Sequence, residues 1–111
     1  MDNLLTELKE NISGVWANNR YELLLGLNNV FTFEEKESEE IIDGTYSIIL
    51  DNKDGYIILR LTELNGINHD YIIIEVSAFK TLIISNKGER INLKNVPPDE
   101  YEGETFNPAN N

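Results

Sequence analysis

Hydrophobic positions along this chain of 111 residues follow two different periods, and the change falls at residues 12 to 14. Before it, Leu4, Leu5, Leu8 and Ile12 recur at helical spacing, Asp2 or Asn3 is placed to cap the start, and Gly14 stands just past the end, which predicts a short amphipathic helix over residues 2 to 12. After it the period is two. Strand-like runs are predicted at 15 to 25, 29 to 35, 41 to 50, 55 to 63, 70 to 78, 81 to 85 and 89 to 94.

The segments between these runs are short and carry turn chemistry. Leu27-Asn28-Asn29, Asp51 to Gly55, Asn65 to Asn68 and Asn86-Lys87-Gly88 supply residues that tolerate positive φ where a hairpin reverses. A parallel crossover needs a dozen or more residues, so connections of this length predict antiparallel neighbours in an up-and-down meander.

Alternation marks the expected inner face. In the third run Ile42, Tyr46, Ile48 and Leu50 fall on one side, with Asp43, Thr45 and Ser47 opposite; in the fourth, Ile57, Leu59 and Leu61 oppose Arg60 and Thr62. In the fifth, Ile72, Ile74 and Val76 fall together, which leaves Tyr71 and Ile73 outside as an apolar patch suited to self-association into a homodimer. Phe31, Phe33, Leu82, Ile84, Ile91 and Leu93 extend the core. A sheet of seven strands left flat exposes two edges, and closure removes them. The fold class expected is mainly β: a small antiparallel up-and-down β-barrel of seven or eight strands with a short N-terminal helix. It occupies residues 1 to 95 as one domain, followed by an acidic, flexible tail at 96 to 111 in which Tyr101 and Phe106 are the only apolar anchors, and whose YEGETF could add the eighth strand.

Gly14-Val15-Trp16, after a short helix and at the entry to the first strand of such a meander, resembles the Gly-x-Trp signature of the calycin superfamily, the lipocalins and fatty-acid-binding proteins. Asp43 to Ile48, DGTYSI, is similar to a strand of small bacterial lipocalin-like domains. The resemblance implies that Trp16 closes one end of the barrel and that Arg90, near the last strand, packs across the indole. Such a cation–π contact contributes about 0.5 to 2 kcal/mol. It also implies a small apolar ligand held inside. The chain is shorter than the members that carry ligands.

Composition removes several chemistries. Cysteine is absent, so disulfides, thiolate metal sites and thiol nucleophiles are excluded. The opening MDNLLTELKEN lacks the basic and apolar regions of a secretory signal, and no apolar run reaches the roughly 18 residues needed to span a bilayer, so a cytoplasmic protein without membrane contact is expected. Net charge is −11, and nine of those charges come from residues 34 to 43 and 99 to 104. A local field of that sign repels nucleic acid and attracts basic protein surfaces.

Candidate catalytic residues are scarce, and no enzymatic activity is expected. His69 is the only histidine, in NGINHDY, and is read as a turn residue; Gly-x-Ser-x-Gly is absent. Asp51 to Gly55 fails the spacing of a calcium loop, strand alternation sends the carboxylates of Glu34 to Glu40 to opposite faces, and no Gly-rich phosphate loop is present, so neither a metal nor a cofactor is expected. Two binding readings remain. The preferred one is an acidic module, of the kind found in immunity or inhibitor proteins, that engages a basic protein through Glu34, Glu35, Glu37, Glu39, Glu40 and Asp43, with Asp99, Glu100, Glu102 and Glu104 secondary. Beside it stands the plain reading of the same acids as a solvated hairpin. The alternative is a carrier whose apolar ligand is lined by Phe33, Tyr46, Ile48, Leu59 and Ile74.

Overall fold

The computed structural model of the chain describes residues 2–77 and 80–97, without the side chains of residues 2–6. Helix α1 (Asp2–Ile12) is followed by eight strands: β1 (Gly14–Ala17), β2 (Tyr21–Leu25), β3 (Val30–Glu35), β4 (Glu40–Asp51), β5 (Tyr56–Glu63), β6 (Asn68–Ser77), β7 (Thr81–Asn86) and β8 (Glu89–Val96). Each strand pairs antiparallel with the next, and β1 pairs with β8 through Val15↔Val96 and Ala17↔Lys94, so the sheet closes into a barrel.

The eighth strand does not come from YEGETF, which lies outside the described residues together with Tyr101, Phe106, Asp99, Glu100, Glu102 and Glu104. It comes from division of the first run. Asn18 Oδ1 accepts hydrogen bonds from the backbone N–H groups of Arg20 (2.8 Å) and Tyr21 (2.6 Å), an Asx turn that reverses the chain between β1 and β2.

The core is packed from the floor upward. Trp16, Ile12, Leu23, Leu59, Leu61, Leu82, Ile84 and Leu93 are fully buried, with Leu25, Phe31 and Tyr46 nearly so. Trp16 Nε1 donates to the carbonyl of Ile12 at 2.7 Å, which gives the buried indole its partner and ties β1 to the last residue of α1. Lys9 Nζ bonds Asn29 Oδ1, and the Tyr46 hydroxyl donates to the Gly26 carbonyl at 2.7 Å, so helix and β2–β3 turn are held together at this end. Gly14 has φ +135°, a conformation that favours glycine and lets the chain leave the helix into β1.

Two details differ from the alternation pattern. The β6–β7 register shifts between Ile73 and Glu75, so Tyr71 and Ile73 face inward above the bulge and Val76 below it, while Ile74 is 43% exposed. The apolar outer patch of Tyr71 and Ile73 therefore does not exist. The other concerns β4. Its lower part pairs with β5 only as far as Gly44↔Glu63, whereas Glu40 to Asp43 continue upward paired with β3 alone. Gly44 sits at this parting: a Cβ there would lie 1.9 Å from the carbonyl oxygen of Thr62.

Candidate functional site

The parting of β4 from β5 leaves the upper end of the barrel open as a cup of about 370 Å³. Its deeper lining is aromatic, Phe33 and Tyr71, with Tyr21 nearer the mouth. Phe33 lies 5.3 Å from Tyr21 and 6.1 Å from Tyr71 between ring centroids, the latter pair edge to face. Ile41 and Ile42 of β4 continue the apolar wall, and Glu35, Glu40, Glu63 and His69 supply the polar groups.

Strand register explains why these side chains converge. Leu23↔Phe33↔Ile42 and Leu59↔Tyr71 are inward pairs, and the period of two carries Tyr21, Glu35 and Glu40 to the same face nearer the mouth. His69 stands opposite Leu61, one inward step above Tyr71. Its Nε2 is 2.6 Å from Glu63 Oε2, with the imidazole side chain one-third exposed and the carboxylate 22% exposed. His69 is thus a strand residue in the cup and not a turn residue. The signal was Asn65-Gly66: a turn centred there pairs Thr62 with Asn68 and His69 with Leu61.

Around the rim, Arg20 Nη2 bonds Glu35 at 3.0 Å, and its Cζ lies 5.1 Å from the Tyr21 ring centroid. Lys36 Nζ donates to the Asn18 carbonyl at 2.8 Å and the Lys36 N–H to the Arg20 carbonyl, which joins the β3–β4 hairpin to the β1–β2 turn. Burial raises the Tyr71 hydroxyl above the ordinary tyrosine value, the charge of Tyr21 adds to this, and a hydrogen bond with Asn86 opposes it. Tyr71 is therefore a neutral wall residue at physiological pH.

The sequence-derived candidates divide clearly. Of the six hairpin acids, Glu35 and Glu40 line the cup; Glu37 and Glu39 are exposed at the turn, and Glu34 and Asp43 point to the outer face. Of the ligand-lining set only Phe33 reaches the cup. Tyr46 and Leu59 are consumed by the packed core below, Ile48 is half-buried against it, and Ile74 is on the outer surface because of the β6 bulge. Gly14 and Trp16 lie at the lower end of the barrel, where β1 pairs with the end of β2 and of β8. Arg90 does not pack on the indole: it is exposed on β8 opposite Ser85, five residues from the Asn95 that pairs with Trp16, and at about 3.4 Å per residue that places it near the other end of the barrel. The indole's polar contact is with the Ile12 carbonyl at the end of α1.

No protein-family model, curated protein or solved structure matches this chain.

A second apolar depression of about 380 Å³ lies beside the floor, between Ser13 to Val15 and Leu24 to Leu27. Its one hydroxyl, that of Ser13, already donates to the Lys9 carbonyl at 2.7 Å. Of these two pockets the cup combines apolar walls with several convergent polar groups, the arrangement that orients a ligand. Among the described residues no group of three or more His, Asp or Glu side chains is arranged to hold a metal ion, and no helix is long and apolar enough to cross a membrane.

Proposed function

We propose that the protein is a non-enzymatic binding protein that takes a small organic ligand into the mouth of its barrel. The observation that carries this reading is the cup of about 370 Å³ lined by Phe33 and Tyr71 deeper in and by Glu35, Glu40, Glu63 and His69 nearer the mouth. Its size lies within the usual range of roughly 300 to 1,000 Å³ for small-molecule sites. The lower barrel is filled by side chains, so the ligand sits at the mouth and does not penetrate the core. The Gly14-Val15-Trp16 signature supports kinship with the calycins, and lack of cysteine fits a reducing, cytoplasmic setting.

The test is a titration with a set of small organic molecules followed by amide NMR. Shifts clustered on Tyr21, Phe33, Ile42, His69 and Tyr71 support the reading. A set in which no cup amide moves contradicts it.

A second reading, engagement of a basic protein, is favoured by the exposure of Glu37, Glu39 and Asp43 beside the cup. It requires that charge reversal at these three residues slow association with a basic protein and weaken its salt dependence, while the cup stays silent.

A further inference from the structure

Resting on the cup as a ligand site, we infer that its ligand is an organic cation: an amine or related positively charged group joined to an apolar body.

The first argument is electrostatic. Three of the four ionisable groups other than tyrosine that line the cup are carboxylates, Glu35, Glu40 and Glu63. Glu35 and Glu40 face each other as register partners across the β3–β4 ladder. Like charges directly opposite on neighbouring strands are unfavourable; Arg20 offsets Glu35 from the rim, and a ligand cation would offset Glu40. The whole chain, at −11, adds a field that draws cations and repels anions.

The second argument is the protein's own arginine. At the rim, Arg20 lies over the Tyr21 ring at 5.1 Å while it bonds Glu35 at 3.0 Å, so a carboxylate and an aromatic face already hold a guanidinium together. The cup brings the same two kinds of group into one lining, Glu63 and Glu40 with Tyr71 and Phe33, and there the occupant is the ligand.

The third argument decides the kind of cation. Among the described residues the carboxylates and His69 do not converge as a metal-binding group. Carboxylates nearer the mouth, with the Phe33 and Tyr71 rings one inward step deeper on the same walls, suit a cation that is itself extended and partly apolar. Leu64 and Ile67, exposed in the turn joining β5 to β6, and Ile41 on β4 give the apolar body further surface at the same end.

The experiment is an amide NMR titration of the full chain at low salt with three probes of one shape: 2-phenylethylamine, 2-phenylethanol and phenylacetate. The amine is expected to bind the cup about tenfold more tightly than the alcohol, with phenylacetate weakest, and Glu63→Gln and Glu40→Gln are each expected to cut that preference severalfold. If the alcohol binds the cup as tightly as the amine, the ligand site stands and the cation inference is overturned. If none of the three moves a cup amide, both are overturned. If the amine moves only the outer face of the β3–β4 hairpin, the cation inference is overturned, because the charge then acts outside the cup.

Discussion

The imidazole Nε2 of His69 and the carboxylate Oε2 of Glu63 lie 2.6 Å apart on adjacent strands at the barrel mouth. This contact fixes the ring against the wall and engages one of the cup's three carboxylates. Removing the two partners has opposite consequences for a bound cation. Glu63→Gln lowers affinity for 2-phenylethylamine, whereas His69→Gln leaves the carboxylate free and maintains or raises it. Both side chains are partly exposed, so each change shifts the unfolding free energy by no more than about 1 kcal/mol, as a urea titration measures.

Trp16 is fully buried at the lower end of the barrel and donates from Nε1 to the Ile12 carbonyl. Trp16→Phe removes that bond and part of a fully buried ring, and is expected to destabilise the fold by about 2 to 4 kcal/mol in denaturant unfolding. Affinity at the cup, at the opposite end of the barrel, is unchanged while the protein remains folded.

Gly44 is required by the close approach of Thr62. Gly44→Ala sets a methyl group against a backbone carbonyl that cannot move without displacing β5, and is expected to cost about 2 kcal/mol or more in the same measurement. Alanine at Gly55, where nothing lies within 4 Å, meets only the penalty of its positive φ, and serves as the comparison.

Burial raises the hydroxyls of Tyr46 and Tyr71 above the ordinary tyrosine value of 10.0. The neutral phenol is the form favoured in the fold. Stability from these groups is therefore fully present below the unfolded value and is lost as pH rises through the folded ones. Tyr71→Phe should leave the midpoint of urea unfolding less sensitive to pH above about 10 than in the parent chain. Ultraviolet phenolate titration should lose one high-pH step in the same variant.

On the outer wall, Arg60 holds Asp70 by two bonds, Nε to Oδ1 at 2.8 Å and Nη2 to Oδ2 at 2.9 Å, and this hydrogen bonding is the main cause that lowers the Asp70 carboxyl below its ordinary value. The stability it supplies is present above the unfolded aspartate value and is lost as pH falls through the folded one. Both side chains are more than a third exposed, so Asp70→Asn costs no more than about 1 kcal/mol at neutral pH, and less in high salt.

Turn chemistry and the period of two made the barrel legible: Asn65-Gly66 and Lys87-Gly88 mark reversals, and short connections leave only antiparallel pairing. What escaped was local. The Asx turn at Asn18 is hidden in one long run by the apolar residues on both sides, although the five-residue step from Trp16 to Tyr21 breaks the period of two. The bulge after Ile73 inverts the faces of β6, and four consecutive apolar residues from Tyr71 to Ile74 give alternation nothing to distinguish. The cup was half visible. Phe33, Glu35 and Glu40 were among the candidates, but assigned to separate hypotheses, since their convergence depends on where β4 leaves β5. A run begun at residue 70 excludes His69 from the strand that orients it, and Glu63, the last residue of its own run, has no marked role until His69 stands beside it.

The most direct test is a set of intermolecular nuclear Overhauser effects between 2-phenylethylamine and the uniformly labelled protein. Contacts from the probe's ring protons to the ring protons of Phe33 and Tyr71, with its methylene beside the amine near the Glu63 side chain, are the result expected. Contacts confined to outward residues such as Ile74 or Leu27, with Phe33 and Tyr71 silent, would contradict a binding cup at the barrel mouth.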